Sequence, residues 1–234
     1  MMKTITLKLN GPMQSYGNVA YFSTRSTLRF PTKSAVIGLI SSALGYDRAD
    51  DKKIRKLNSL KFAVRIDMQG KERSDYQIMY RSLEKKNKTI NRKYLADALF
   101  LIGLSGPEDL IDKIIWAMAH PVYQPFLGRK AYLPAGPIIV KKFNHDDALQ
   151  VLKKVPWQAP AWFQKKYQKP TFPAIIIADA ELNRQKEPFL LHDKVGSFNS
   201  DNRYFSGRLV IQENVTLIND WTSKLENRDY FDEV

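Results

Sequence analysis

Apolar and polar residues alternate near the start of the chain, where Ile5, Leu7 and Leu9 interleave with Thr4, Thr6 and Lys8. A period of two predicts a half-buried strand, and Asn10-Gly11-Pro12 predicts its end. After a loop that finishes in Arg29-Phe30-Pro31 the period becomes helical, with Val36, Leu39, Ile40, Ala43 and Leu44 on one face. Thr32 stands where an N-cap is needed and Gly45 where a helix stops. Ser34, Gly38, Ser41 and Ser42 give this helix a small-residue face. Such a face admits the close approach of another backbone, protein or nucleic acid, or simply packs tightly on a sheet.

Phe62-Ala63-Val64-Arg65-Ile66 predicts a second strand and Ala96 to Leu104, almost continuously apolar, a third and central one. Residues 68–94 between them hold no run apolar enough for a core. Instead Tyr76, Tyr80 and Tyr94 sit among Lys71, Arg73, Arg81, Lys85, Lys86, Lys88, Arg92 and Lys93, which predicts a projecting hairpin or arm. Ser105-Gly106-Pro107-Glu108-Asp109 opens a second helix, with acids at its positive dipole end. Leu110, Ile111, Ile114, Ile115 and Met118 form its apolar stripe and His120-Pro121 closes it.

Strand, helix, strand, strand, helix and a further strand near Gly136 to Val140 is the order of a ferredoxin-like (RRM-like) split βαβ unit in the α+β class. We therefore expect a palm at residues 1–143 with a basic thumb insert at about 68–94. After a Lys/Trp/Pro-rich stretch from Lys153 to Pro173, strands at Ala174 to Ala178 and Leu209 to Gln212 predict a β-rich region over 144–234. The last dozen residues are expected to be poorly ordered.

Charge changes the picture most. The 37 Lys and Arg against 24 Asp and Glu leave a formal +13, and residues 52–94 alone hold 14 basic residues against four acids. That balance favours a polyanionic partner. The chain has no cysteine and three scattered histidines, His120, His145 and His192, so thiolate metal sites are excluded and an imidazole cluster has little material. The longest apolar run, Leu95 to Leu104, contains Asp97 and Gly103 and is about half of what a bilayer needs. The first residues lack the apolar core of a secretory signal, so a cytoplasmic protein without membrane contact, metal or cofactor is expected.

Three loop segments combine glycine, aromatic and basic residues: Gly11-Pro12-Met13-Gln14-Ser15-Tyr16-Gly17, Arg29-Phe30-Pro31-Thr32-Lys33-Ser34 and Pro125-Phe126-Leu127-Gly128-Arg129-Lys130. Glycine lets backbone amides approach phosphates, Arg and Lys neutralise them, and an aromatic face receives an unstacked base. Candidate RNA-binding residues are therefore Gln14, Tyr16, Arg25, Arg29, Lys33 and Ser34, then Tyr76, Tyr80, Arg81, Arg92 and Lys93 on the arm, and Phe126, Gly128, Arg129 and Lys130. Gln14 is placed to read a base edge.

These motifs resemble the CasD family of type I-E CRISPR Cascade complexes. The likeness rests on the run 11–17, on Arg29 to Ser34 leading into a Gly38-Leu39-Ile40 helix, on Ser74-Asp75-Tyr76, on Tyr94 to Ala98 and on Pro121 to Lys130. It covers about the first 140 residues. The resemblance implies a RAMP protein with a ferredoxin-like palm and a thumb that caps the 5′ handle of the crRNA. It further implies the CasC backbone subunit and the large CasA subunit as neighbours, with CasB and CasE in the same ribonucleoprotein.

A sister branch of that family, in type I-C systems, cleaves repeat RNA, so a metal-independent endoribonuclease is the competing class. Such cleavage needs a general base, a general acid and cations around the phosphate. His120 at a helix end reads as a cap, and His145 and His192 belong to no recognised motif. No catalytic residue is assigned, and a non-catalytic RNA holder is expected. A general single-strand binder outside CRISPR would share the charge and the rings, but the chain lacks an RNP-type RRM motif.

Overall fold

A computed structural model describes residues 2–17, 24–80 and 88–221. In chain order the elements are β1 (Met2–Gln14), β2 (Thr24–Arg25), α1 (Lys33–Ala43), α2 (Asp51–Lys56), β3 (Lys61–Met68), β4 (Lys71–Met79), β5 (Lys88–Pro107), α3 (Glu108–Ala119), β6 (Ile139–Asn144), α4 (Ala148–Lys154), α5 (Ala161–Tyr167), β7 (Thr171–Asp179), β8 (Phe189–Ser197) and β9 (Tyr204–Ile218). One mixed sheet runs β6-β1-β5-β3-β7-β9-β8, with β2 and β4 both paired to β5. All of its pairs are antiparallel except the short β2–β5 contact. Because β7 pairs with β3, residues on both sides of position 143 share this sheet.

The alternation in β3 and β5 serves two cores. Phe62, Val64, Phe100, Ile102 and Leu104 join Ile5, Leu7 and Leu9 under α1 and α3. Ala63 and Leu101 face the other way, where Ala148, Leu149, Val151 and Leu152 of α4 cover them. A third cluster around Trp157, Ala174 and Leu217 continues that second face beneath α5. Neither α4 nor α5 is predicted by the Lys/Trp/Pro-rich stretch, because helices of seven residues are too short to display a period.

Thr32 caps α1 as its position predicts, its hydroxyl accepting from the Ala35 amide, and Gly45 follows the helix at φ 73°. The small-residue face of α1 is filled by protein: the Phe198 ring lies 3.6 Å from where a Gly38 Cβ would be, and Ser42 donates to the Tyr123 carbonyl. β1 does not stop at Asn10-Gly11-Pro12 but runs on to Gln14 along β5. Gly11 permits this, since a Cβ there would meet the Leu133 carbonyl oxygen at 2.7 Å.

The predicted central strand is longer than its apolar run. β5 spans Lys88–Pro107, and at roughly 3.3 Å per residue this is about 65 Å. β3 pairs with its inner half and β4 with its outer half. After a bulge between Ile66 and Met68, the register of Met68 opposite Leu99 passes across the break at Gln69-Gly70 into that of Lys71 opposite Ala96 without a further slip. The basic segment is thus the outer half of one long hairpin, and every β4 side chain except Asp75 is exposed.

A buried ion pair fixes the root of this ribbon. Arg65 and Asp67 are both fully buried; Arg65 Nε donates to Asp67 Oδ1 at 2.6 Å and Nη2 to Oδ2 at 2.8 Å. The remaining guanidinium donors go to the carbonyls of Leu152, Val155 and Pro156 at the end of α4. Trp157 Nε1 donates to the Asp67 carbonyl and the Gln158 amide to its carboxylate. Such pairing and hydrogen bonding are what a charge needs to remain in a core.

Candidate nucleic-acid interface

The glycine-aromatic-basic segments meet at the point where the ribbon leaves the sheet. The Ser15 amide donates to Leu127 O at 3.1 Å, and the Leu127 amide to Tyr132 O at 2.7 Å. Gly128 sits at φ 91°, a conformation that favours glycine, with its α-carbon pressed against the Ser15 carbonyl. Ser15 Oγ and Arg129 Nη2 both donate to the carbonyl of Lys93, at 3.2 and 3.3 Å. Arg129 also holds the Tyr132 hydroxyl at 3.1 Å and lies 5.5 Å from that ring. Segments around 15, 93 and 129, distant in sequence, form one knot.

The segment at 24–30 is tied to the same knot. The Leu28 amide donates to Tyr16 O at 2.7 Å, the Tyr16 amide to Thr27 Oγ1 at 2.9 Å, and Gln69 Nε2 to Arg29 O at 3.0 Å. β2 then lies parallel to the ribbon, so that Arg25 stands opposite Arg92 while Asp75 faces Arg92 from the other side. Opposed cations on neighbouring strands repel. One carboxylate for two guanidiniums leaves a row with a net positive charge.

Three residues expected to touch RNA, Gln14, Tyr16 and Lys33, lie instead inside the protein. Gln14 is fully buried, its amide donating to Ala98 O at 2.7 Å and its carbonyl accepting from the Tyr16 hydroxyl at 2.6 Å. Tyr16 is itself buried edge-on against Phe100, and burial drives its phenol well above the ordinary tyrosine range. The pair braces the loop from beneath and offers neither a base edge nor a ring to a ligand.

Lys33 is the third. Its ammonium pairs with Asp179 Oδ2 at 3.1 Å, and its backbone amide donates to Asp193 Oδ2 at 2.8 Å. Arg208 completes a four-charge cluster, reaching Asp193 through Nε at 2.8 Å and Asp179 through Nη1 at 2.6 Å. Burial lowers the Lys33 pKa although Asp179 opposes the shift. For Arg208 burial also works against the charge, but its hydrogen bonds to the carboxylates outweigh it and raise the pKa. The cation that reads as a phosphate ligand instead locks α1 to β7, β8 and β9. Ser34, beside it, is half-buried and bonded to the Thr32 hydroxyl at 3.1 Å.

The other candidates reach the surface. Arg25, Arg29, Gly128 and Lys130 are exposed, and Arg92, Lys93, Phe126 and Arg129 are half-buried. Lys93 is partly neutralised by Glu72 at 2.8 Å. Tyr76 and Tyr80 are 63% and 80% exposed, large apolar surfaces left in water. Arg81 lies outside the described residues. Register separates Tyr76, which shares a ribbon face with Ser74, Lys93 and Ile78, from the Arg25–Arg92–Asp75 row on the reverse face. Lys71 and Arg73, exposed on β4, add cations that the sequence pattern puts in the arm without assigning them a ligand.

The three histidines occupy different elements. His120 ends α3, stacked on Trp116 with ring centroids 5.1 Å apart, His145 follows β6 at φ 72°, and His192 is exposed on β8.

The chain is mixed α/β on one large antiparallel sheet, an architecture shared with solved CRISPR-associated proteins. A chain of a CRISPR RNA-guided surveillance complex superposes with a TM-score of 0.75 at 28% identity, covering 92% of this chain and 91% of its own length. The crystal structure of a Cas protein matches with a TM-score of 0.67 at 28% identity over 91% and 94% of the two chains. The chain belongs to the CRISPR-associated protein family (Cas_Cas5), whose pattern matches residues 4–211. It is 33% identical over 172 residues to the CRISPR system Cascade subunit CasD of Escherichia coli (strain K12), which covers 65% of this chain and 76% of that protein.

Proposed function

We propose that this protein is a non-catalytic crRNA-binding subunit of a Cascade surveillance complex. The observation that carries the reading is the Arg25–Arg92 row beside the 15–93–129 knot. Two guanidiniums forced into cross-strand register, with the row's one carboxylate on the far side of Arg92, gain from a bridging phosphate what they lose in mutual repulsion. The kinship with a Cascade subunit and a chain of an RNA-guided complex supports it.

Within this reading the 5′ handle of the guide bends over Arg25, Arg29, Arg129 and Lys130 beside the half-buried Phe126, and it wraps the ribbon to stack on Tyr76 of the reverse face and on Tyr80 beyond it. The strand order β6-β1-β5-β3 with α1 and α3 on one side is what a ferredoxin-like palm over residues 1–143 requires. The exposed β4–β5 ribbon then serves as the thumb, and residues 144–234 extend the palm's sheet. CasC at the thumb and the large CasA subunit are the proposed neighbours, with CasB and CasE in the same cytoplasmic particle.

The test is co-expression with those subunits and a guide, followed by incubation of the purified particle with repeat RNA in chelator. Guide-dependent co-purification with intact RNA is expected. Cleavage that tracks this subunit would replace the reading by that of a metal-independent endoribonuclease, and equal retention of handle and scrambled RNA would remove the handle from it.

A further inference from the structure

The second face of the sheet carries a cationic, aromatic surface that the guide-holding reading leaves unused. From Ala148 to Ala178 there is no acidic residue, while Lys153, Lys154, Lys165, Lys166 and Lys169 all fall in that span. Lys153 is neutralised by Glu213 and Lys154 by Asp146. What remains is concentrated on α5, where Lys165 and Lys166 are exposed. Beside them Trp162 is 58% exposed and edge-on to Phe163, and Lys165 Nζ stands 4.4 Å above the Trp221 ring.

This surface has a rigid base. Trp157 stacks on Phe172 with centroids 4.3 Å apart, and Gln164 Nε2 donates to the carbonyls of Ala159 and Trp157 from inside the helix. The base is bolted to the root of the ribbon through Trp157 and Gln158 on Asp67. An indole is expensive to leave in water, and an exposed one among cations without nearby acids in sequence is the composition of a stacking platform for an unpaired strand.

We infer that Trp162, Lys165 and Lys166 form a second nucleic-acid surface, one that takes single-stranded DNA without sequence preference. The choice of DNA rests on the guide-holding reading: a guide that pairs with one strand of a duplex displaces the other, and effectors hold the displaced strand on cationic surfaces. The α5 surface lies on the sheet face opposite α1 and α3, so a strand can occupy it while the guide fills the loop knot.

The experiment uses the full chain and a labelled oligothymidylate of roughly 20 nucleotides, longer than one typical single-strand site. Binding is followed by anisotropy and tryptophan quenching, with and without saturating unlabelled guide RNA. DNA binding is expected to persist with the guide present. Lys165→Ala with Lys166→Ala should reduce the salt slope for DNA by about 1.4, at about 0.7 per phosphate, and leave the guide's slope unchanged. Trp162→Phe should remove most of the quench. Complete displacement of DNA by the guide, or unaltered DNA binding in the α5 variants, overturns the inference. A chain that binds DNA through α5 but fails to hold a guide would instead sink the proposed function alone.

Discussion

The carbonyl oxygen of Ser15 occupies the place where a side chain at residue 128 would begin, so a Cβ on Gly128 would overlap it. No rotamer relieves that overlap, because both partners are backbone, and the φ of 91° adds strain for any other residue. Gly128→Ala is expected to cost about 1 to 3 kcal/mol or more and to loosen the guide. Thermal unfolding and guide retention on the folded fraction measure the two effects, and a variant unchanged in both would separate the knot from RNA binding.

Lys33 belongs to the stability of the protein. Lys33→Ala strands part of the Asp179–Arg208–Asp193 cluster and should cost about 3 to 5 kcal/mol, as removal of one partner from a buried pair does. Urea denaturation reads that loss. The salt slope of guide binding should stay where it was.

The same lysine predicts a pH trend. Its folded pKa is lowered by burial from an ordinary 10.5, so between the two values the unfolded chain binds the extra proton. Its contribution to stability is therefore present above 10.5 and diminishes as pH falls through the folded value. Lys33→Met should flatten the slope of stability against pH just below 10.5, whatever its own absolute stability.

Arg25, Arg29 and Lys130 are exposed cations at the knot. Each alanine variant should reduce the slope of log affinity against log salt by about 0.7 for every phosphate that the wild-type side chain neutralises. Arg129→Lys should not restore the wild-type slope and affinity, since an ammonium cannot hold Tyr132 and the Lys93 carbonyl while facing a phosphate.

Tyr76 carries no charge and supports no core. Tyr76→Ala should weaken guide retention by about 1 to 3 kcal/mol as base stacking disappears, with the salt slope and the melting temperature unchanged. A shift in melting temperature would mark the ring as packing.

The strands of the palm, the cap at Thr32, the polar character of the ribbon and the basic excess are all readable from local pattern. Each depends on neighbours within a few residues: alternation sets a strand face, and a hydroxyl ahead of a helix finds the amide three residues on. The family motifs are legible too, but not what their residues do. Gln14 is buried because Ala98 waits across the sheet, and Lys33 because Asp179 and Asp193 arrive from strands about 150 residues later. Gly128 carries its constraint from Ser15, and Arg25 faces Arg92 only once β2 lies along β5. A side chain's type is local, but its burial and its charge partners depend on pairings that close across the whole chain. That closure separates the residues that build the interface from those that remain free to touch a ligand.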